Sequence, residues 1–215
     1  MNTIIVEGGK DMGNRIYPIG IQNFEKIRKE GYVYVDKTAL MYKLVKSGSY
    51  FFLSRPRRFG KSLLISTLEA YFEAKRDLFE GLAVETLEKD WVKRPVLHLD
   101  LNIGKYDTPD SLDKILNETL DYWESLYGTR SAETTLALRF AGVVGRAYEQ
   151  SGERVAILID EYDKPLLQAI GNEELQREFR NTLKPFYGVL KTMDGCIKFA
   201  LLTGVTKFGK VSVFS

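Results

Sequence analysis

The residues best suited to chemistry are a glycine, a lysine and a serine in succession, Gly60-Lys61-Ser62. A loop of this kind between a strand and a helix holds phosphate on its backbone N–H groups and on the positive end of the helix dipole. Gly60 lets the backbone come close to phosphate without a Cβ in the way. Lys61 can reach the β- and γ-phosphates, and the Ser62 hydroxyl suits Mg²⁺. The triplet therefore predicts a nucleoside triphosphate site, with the binding residues Arg57, Arg58, Phe59, Gly60, Lys61, Ser62 and Leu63.

The start of this loop departs from the usual pattern, because Arg55 stands where a first glycine is common. Pro56 follows it and favours an extended Arg55. Arg57 and Arg58 add positive charge that either contacts phosphate or faces a partner. The Gly-Lys-Ser triplet alone also fits a solvated basic turn. The apolar run 50–53 before it and the amphipathic stretch 61–73 after it favour the binding loop.

An acidic pair, Asp160-Glu161, follows the apolar run 155–159. Ligands of open α/β sheets bind at the carboxyl ends of strands, which is where this pair falls. Asp160 is the expected metal ligand together with Ser62, and Glu161 is the expected general base for an attacking water. The alternative is a helix N-cap, a role that Asp160 or Asp163 would fill.

Other polar residues are weaker candidates. Thr203 ends an apolar run and can hydrogen-bond the γ-phosphate or the attacking water, as can Thr206, although either also suits an ordinary strand end. With Glu161 and Lys61, Thr203 completes the predicted catalytic set. Arg177 and Arg180 fit surface charge better than an arginine finger for a neighbouring subunit, and the chain's one histidine, His98, is expected in the core.

Hydrophobic periodicity predicts the elements that position these residues. Short apolar runs, typical of buried strands, alternate with longer amphipathic stretches, which indicates an α/β fold with a mostly parallel sheet covered on both faces. The predicted strands are 32–35, 50–53, 96–101, 155–159 and 197–202, and the predicted helices are 24–29, 37–46, 61–73, 110–126, 132–150 and 175–190. Asp36 is the expected N-cap of the second helix.

Bulk properties exclude several classes of protein. A chain of 215 residues suits one domain, and its net charge of +2 argues neither for nor against nucleic acid. One cysteine, Cys196, excludes an internal disulfide and a cysteine-based metal cluster. The apolar runs are too short to cross a membrane, so we expect a cytoplasmic protein. Residues 1–14 are expected to be a mobile lead-in and 15–215 the domain, truncated at the strand-like run 211–215.

Several runs together resemble the bacterial AAA-ATPase-like family. They are Tyr17 to Gly20, Tyr34 to Thr38, Arg55 to Ser62, Leu158 to Pro165 and Leu202 to Phe208. The resemblance implies an AAA-type P-loop NTPase, a three-layer sandwich that binds ATP with Mg²⁺ and lacks the first glycine of the loop. It places the strand of Thr203 between the phosphate-loop strand and the Asp160 strand. Family members commonly continue into a restriction-endonuclease-like region, absent here, to which any nucleic-acid contact would belong. A homo-oligomer is a further expectation.

Three functions fit these observations. The first is an ATPase whose binding or hydrolysis of ATP drives or gates a partner or an appended effector. The second is a switch that binds ATP and scarcely hydrolyses it. The third is a nucleic-acid-binding module built on Arg55, Arg57 and Arg58, which would leave the acidic strand end without a purpose. The guanine-reading pattern Asn-Lys-x-Asp is absent, which favours adenine.

Overall fold

A parallel β-sheet forms the centre of the described structure. The computed structural model describes residues 16–206, so the expected lead-in 1–14 and the run 211–215 lie outside the described residues. The strands are β1 (Tyr50–Ser54), β2 (Val96–Asp100), β3 (Val155–Asp160) and β4 (Ile197–Gly204). They pair in the order β1-β4-β3-β2, and every pairing is parallel. The predicted α/β fold is confirmed.

Helices cover both faces of this sheet and make the three layers of the sandwich. They are α1 (Phe24–Lys29), α2 (Thr38–Ser47), α3 (Lys61–Phe72), α4 (Ala83–Leu87), α5 (Ser111–Tyr127), α6 (Leu136–Ser151), α7 (Lys164–Gln168) and α8 (Glu173–Thr192). Successive residues of β3 serve opposite layers, because side chains alternate across a strand. Ile157 packs in the layer of α5 to α8, whereas Leu158 packs in the layer of α1 to α4. No helix among residues 16–206 is long and apolar enough to cross a membrane.

The strand order brings the candidate residues to one edge of the sheet. β4 lies between β1 and β3, as the family resemblance predicts. Leu53 stands beside Thr203, and Asp100 stands beside Asp160. Because parallel strands share their carboxyl edge, the phosphate loop, the acidic pair and Thr203 must meet there.

The predicted strand at residues 32–35 is wrong. This segment has no regular secondary structure and pairs with no strand among the described residues. Its composition serves packing instead, since the Tyr34 ring meets Phe24 edge-on with centroids 5.1 Å apart.

The N-cap of α2 is Lys37 rather than the expected Asp36, but Asp36 accepts hydrogen bonds from N–H groups at the starts of two helices. Its Oδ1 accepts from the N–H of Thr38, at 2.8 Å, at the start of α2. Its Oδ2 accepts from the N–H of Ala83, at 2.7 Å, at the start of α4. These bonds join α2 to α4.

His98 lies at the rim of the core rather than inside it. The side chain is half-buried, and its Nδ1 stands 3.5 Å from the Glu69 carboxylate on α3. Burial alone would lower the pKa of His98, but Glu69 outweighs it and raises that pKa. The residue therefore links β2 to α3.

A buried carboxylate, Glu88, joins the end of α2 to the end of α3. Its Oε2 accepts from the Tyr71 hydroxyl and lies 3.0 Å from the Lys46 ammonium, and its Oε1 accepts from the N–H of Asp90 at 3.1 Å. Burial by itself would raise the pKa of Glu88, yet these three partners lower it to about 2. The charged form is therefore favoured in the folded protein.

This geometry predicts a pH-dependent loss of stability in Glu88→Gln. Because the folded pKa is depressed, the stabilisation is present above the unfolded pKa and is lost as the pH falls towards 2. We expect a free energy of unfolding lower by on the order of 2–3 kcal/mol at neutral pH, measured by urea denaturation. The difference from wild type should nearly vanish by about pH 2. The exposed Glu118→Gln is the matched control, and a pH-independent difference for Glu88→Gln would contradict the assignment.

Candidate functional site

The phosphate loop runs from the end of β1 to the start of α3. Gly60 has φ 75°, a left-handed conformation that glycine adopts without strain, and Arg58 has φ 68°. The first backbone bond at the helix start runs from Leu64 N–H to the Gly60 carbonyl, at 3.0 Å. The N–H groups of the three residues between them belong to the open first turn, where an anion is stabilised.

Lys61 is buried beneath this loop. Its Nζ donates to the carbonyls of Arg55 and Pro56, at 3.0 and 3.4 Å. The same atom lies 3.1 Å from Oε1 of Glu161. The side chain of Arg58 and that of Phe59, which is 63% exposed, face outwards. The structure thus brings the lysine of the loop into contact with the acidic strand end.

The hydroxyls predicted at the site converge on Asp160. Ser62 Oγ donates to Asp160 Oδ2 at 2.6 Å, and Thr203 Oγ1 donates to Oδ1. Asp160 is 3% exposed and Thr203 is fully buried. The carboxylate is therefore oriented from both sides, by the phosphate-loop helix and by the central strand β4.

The oxygen pair of Ser62 and Asp160 suits Mg²⁺, which prefers oxygen ligands and keeps several waters. Among residues 16–206 there is no cluster of three or more histidine, cysteine or acidic side chains that could hold a metal. Few protein ligands are typical of Mg²⁺ that is also bound by substrate phosphates. The two oxygen donors, Ser62 Oγ and Asp160 Oδ2, therefore fit two ligand positions of an Mg²⁺ ion.

Glu161 has an unusual backbone. Its φ is 53°, in the left-handed region that costs a residue with a Cβ roughly 1–3 kcal/mol. Its N–H donates to Asp160 Oδ1 at 3.1 Å and to Thr203 Oγ1 at 3.4 Å. These contacts hold the strained residue at the edge of the sheet, with its carboxylate towards Lys61.

The remaining candidates are placed elsewhere. Thr206 donates its hydroxyl to Asp163 at 2.9 Å, so Thr203 is the threonine that contacts Asp160. Arg180 donates to Gln176 within α8 at 2.9 Å. Arg177 is exposed beside Glu174 of the same helix, and this chain does not bring it to the site.

Sequence reasoning missed the part played by Asp163. Its side chain makes no cap bond to α7, although the residue occupies the N-cap position. Instead its Oδ2 accepts from the N–H groups of Val205 and Thr206, at 2.9 and 2.7 Å. Its place two residues after the acidic pair is the one signal in the sequence that could have indicated it.

Comparisons with known proteins agree with this geometry. A family model described as AAA-ATPase-like, predicted AAA-ATPase, matches residues 18–214. A protein of Azotobacter chroococcum mcd 1, described as an uncharacterized protein in the vnfD 5′ region, is 42% identical over 206 residues. The match covers 95% of this chain but 40% of that relative, so the chain spans less than half the relative's length. No solved structure matches.

Proposed function

The chain belongs to the predicted AAA-ATPase family, and from this premise we propose that it binds ATP with Mg²⁺ and hydrolyses the ATP. One observation carries the proposal. The phosphate loop and the acidic strand end meet through two contacts, Ser62 with Asp160 at 2.6 Å and Lys61 with Glu161 at 3.1 Å. Phosphoryl transfer needs these groups, a lysine, a hydroxyl, a metal-binding carboxylate and a base, within one site.

Binding of the triphosphate follows from the loop. Phosphate oxygens accept from the N–H groups at the start of α3, where the helix dipole adds positive potential. Lys61 turns from Glu161 to the β- and γ-phosphates. Arg57 and Arg58, both exposed at the loop, lie close enough in sequence to add charge to the same anion. Ser62 and Asp160 hold Mg²⁺, which supplies charge neutralisation on the phosphate oxygens when bound.

Hydrolysis uses Glu161 as the general base. It takes a proton from a water whose oxygen bonds to the γ-phosphorus, while the bond from that phosphorus to the bridging oxygen of ADP breaks. The Thr203 hydroxyl orients the reacting groups from β4. Because the related Azotobacter protein is much longer than this chain, we propose that ATP drives or gates an appended effector.

A second function, an ATP-controlled switch with little hydrolysis, is favoured by the ion pair of Glu161. Its carboxylate lies 3.1 Å from the Lys61 ammonium, so the base is engaged in an ion pair. A nucleotide that attracts the Lys61 ammonium breaks this ion pair, and the Glu161 carboxylate can then accept a proton from water. If the pair persists, binding occurs without turnover.

Calorimetric titration of wild-type protein tests the binding step. We expect a dissociation constant for ATP in the micromolar range with Mg²⁺, and weaker binding when EDTA replaces the metal. GTP should bind less well, in keeping with the absent guanine-reading motif. A folded protein that gives no heat with ATP in either buffer would contradict the proposal.

A further inference from the structure

Asp163 uses its carboxylate in an unexpected direction. An aspartate at the N-cap position ordinarily accepts from the N–H groups of the following helical turn. Asp163 occupies this position before α7 and makes no such bond. Its side chain is fully buried and points instead at the end of β4. Asp163 therefore does not stabilise the start of α7 and instead contacts a segment that is distant in the sequence.

Those contacts fix the turn 204–206 after Thr203. Asp163 Oδ2 accepts from the N–H of Val205 at 2.9 Å, and from the N–H and hydroxyl of Thr206 at 2.7 and 2.9 Å. Its neighbour Tyr162 donates its N–H to the Thr203 carbonyl and its hydroxyl to the Thr206 carbonyl, both at 2.9 Å. The segment after β3 therefore holds this turn at four points and holds Thr203 itself at a fifth.

The phosphate loop holds the same turn from the other side. Arg55 N–H donates to the Gly204 carbonyl, and Ser54 Oγ donates to the Val205 carbonyl, both at 3.0 Å. The turn is thus a bridge between the acidic strand end and the phosphate loop, and its position affects both.

Gly204 is required by the closeness of this packing. A Cβ built on Gly204 would lie 2.6 Å from Asp163 Oδ1 and 2.6 Å from Cε1 of Tyr162. Carbon atoms do not approach these groups so closely, so a larger residue would push the turn away from Asp163. Within residues 16–206, Oδ1 of Asp163 has no hydrogen-bond partner. That oxygen therefore sits against the glycine through packing alone.

We propose that Asp163 is a positioning residue for the Mg²⁺-bound nucleotide. By holding the turn 204–206 it fixes Thr203, whose hydroxyl donates to Asp160 and orients the carboxylate that binds the metal. Asp163 is itself too enclosed to be a ligand, and its Oδ2 is already occupied by three donors. This inference rests on the proposed function, since it assigns a role within the same site.

Asp163→Asn tests the role of the charge, because asparagine has the same shape and accepts hydrogen bonds more weakly. Changes to groups that orient metal ligands weaken metal binding by about 10- to 100-fold. We expect the gain in ATP affinity caused by Mg²⁺ to shrink by that factor, while ATP affinity in EDTA stays as in wild type. Calorimetric titration in both buffers measures the two quantities.

Glu88→Gln is the matched control, because it also alters a buried carboxylate but lies at the far end of α3. It should lower the melting temperature and leave the gain from Mg²⁺ unchanged. If the role of Asp163 were purely structural, Asp163→Asn would likewise lower the melting temperature and leave the gain from Mg²⁺ unchanged. Asp163→Asn that loses stability but retains the full gain from Mg²⁺ would therefore overturn the inference.

Gly204→Ala provides a second route to the same displacement with Asp163 intact. We expect it to reduce the gain from Mg²⁺ as well, and to speed hydrogen exchange at the amides of Val205 and Thr206 in nucleotide-free protein. Asp163→Asn should speed exchange at the same two amides. Unchanged hydrogen exchange in both variants would overturn the positioning role, whether or not wild type binds nucleotide. A wild type that binds no nucleotide would by itself defeat only the proposed function.

Discussion

Glu161→Gln is expected to hydrolyse ATP about a thousandfold more slowly than wild type, since a general base contributes roughly 10²- to 10⁴-fold. Glutamine keeps the shape of the side chain but cannot take the proton from water. Binding should be at least as tight as in wild type. The lost charge is the one that holds Lys61 Nζ at 3.1 Å and competes for it with phosphate. Steady-state release of phosphate and calorimetric titration measure the two effects.

The matched control is Glu153→Gln, which removes a carboxylate just before the opposite end of β3. Glu153 pairs with Arg94 at 2.6 Å, away from the phosphate loop, so turnover should not change. Turnover by Glu161→Gln within a few-fold of wild type would show that another group activates water. Negligible turnover by wild type, with tight binding, would favour the switch.

Lys61→Ala is expected to weaken binding of ATP with Mg²⁺ by at least about 100-fold, equivalent to roughly 2.7 kcal/mol. The buried ammonium of Lys61 lies 3.1 Å from the Glu161 carboxylate, and we propose it as the group of the loop that reaches the terminal phosphates. Alanine removes that charge and leaves the carboxylate of Glu161 to repel the nucleotide. Calorimetric titration measures the loss, with circular dichroism to verify the fold.

The double variant Lys61→Ala with Glu161→Gln separates the two causes. If the missing lysine is responsible, binding stays weak in the double variant. Recovery of binding would mean that repulsion by the unpaired Glu161 was responsible and that Lys61 does not bind phosphate. Lys43→Ala, which removes an exposed lysine of α2, should bind as wild type does.

The main elements follow from local patterns. The apolar runs at 50–53, 155–159 and 197–202 become strands because such runs can be buried on both faces of a parallel sheet. The position of β4 between β1 and β3 does not follow from those patterns. The prediction of this strand order rested on the family resemblance, because strand order depends on contacts between residues far apart in the chain.

The failures have the same origin. Residues 32–35 have strand composition, but aromatic and β-branched side chains also pack well against helices, and no strand among the described residues lies beside them. Asp163 reads as a helix cap because that is the local use of aspartate. Its actual partners, Val205 and Thr206, lie more than forty residues away, as does the partner of Ser62 in the acidic pair.

The central place of β4 has a consequence for biosynthesis. Tyr50 of β1 pairs with Ala200 of β4, and among residues 16–206 β4 is the strand that flanks β1, so β1 waits for this neighbour until β4 leaves the ribosome. At about 5–20 residues per second, the wait is on the order of ten seconds. During that time the nascent chain carries apolar strands with open edges, a state prone to aggregation. The same long-range pairing predicts slow refolding of the isolated domain, because loop closure must come before the contacts that stabilise it.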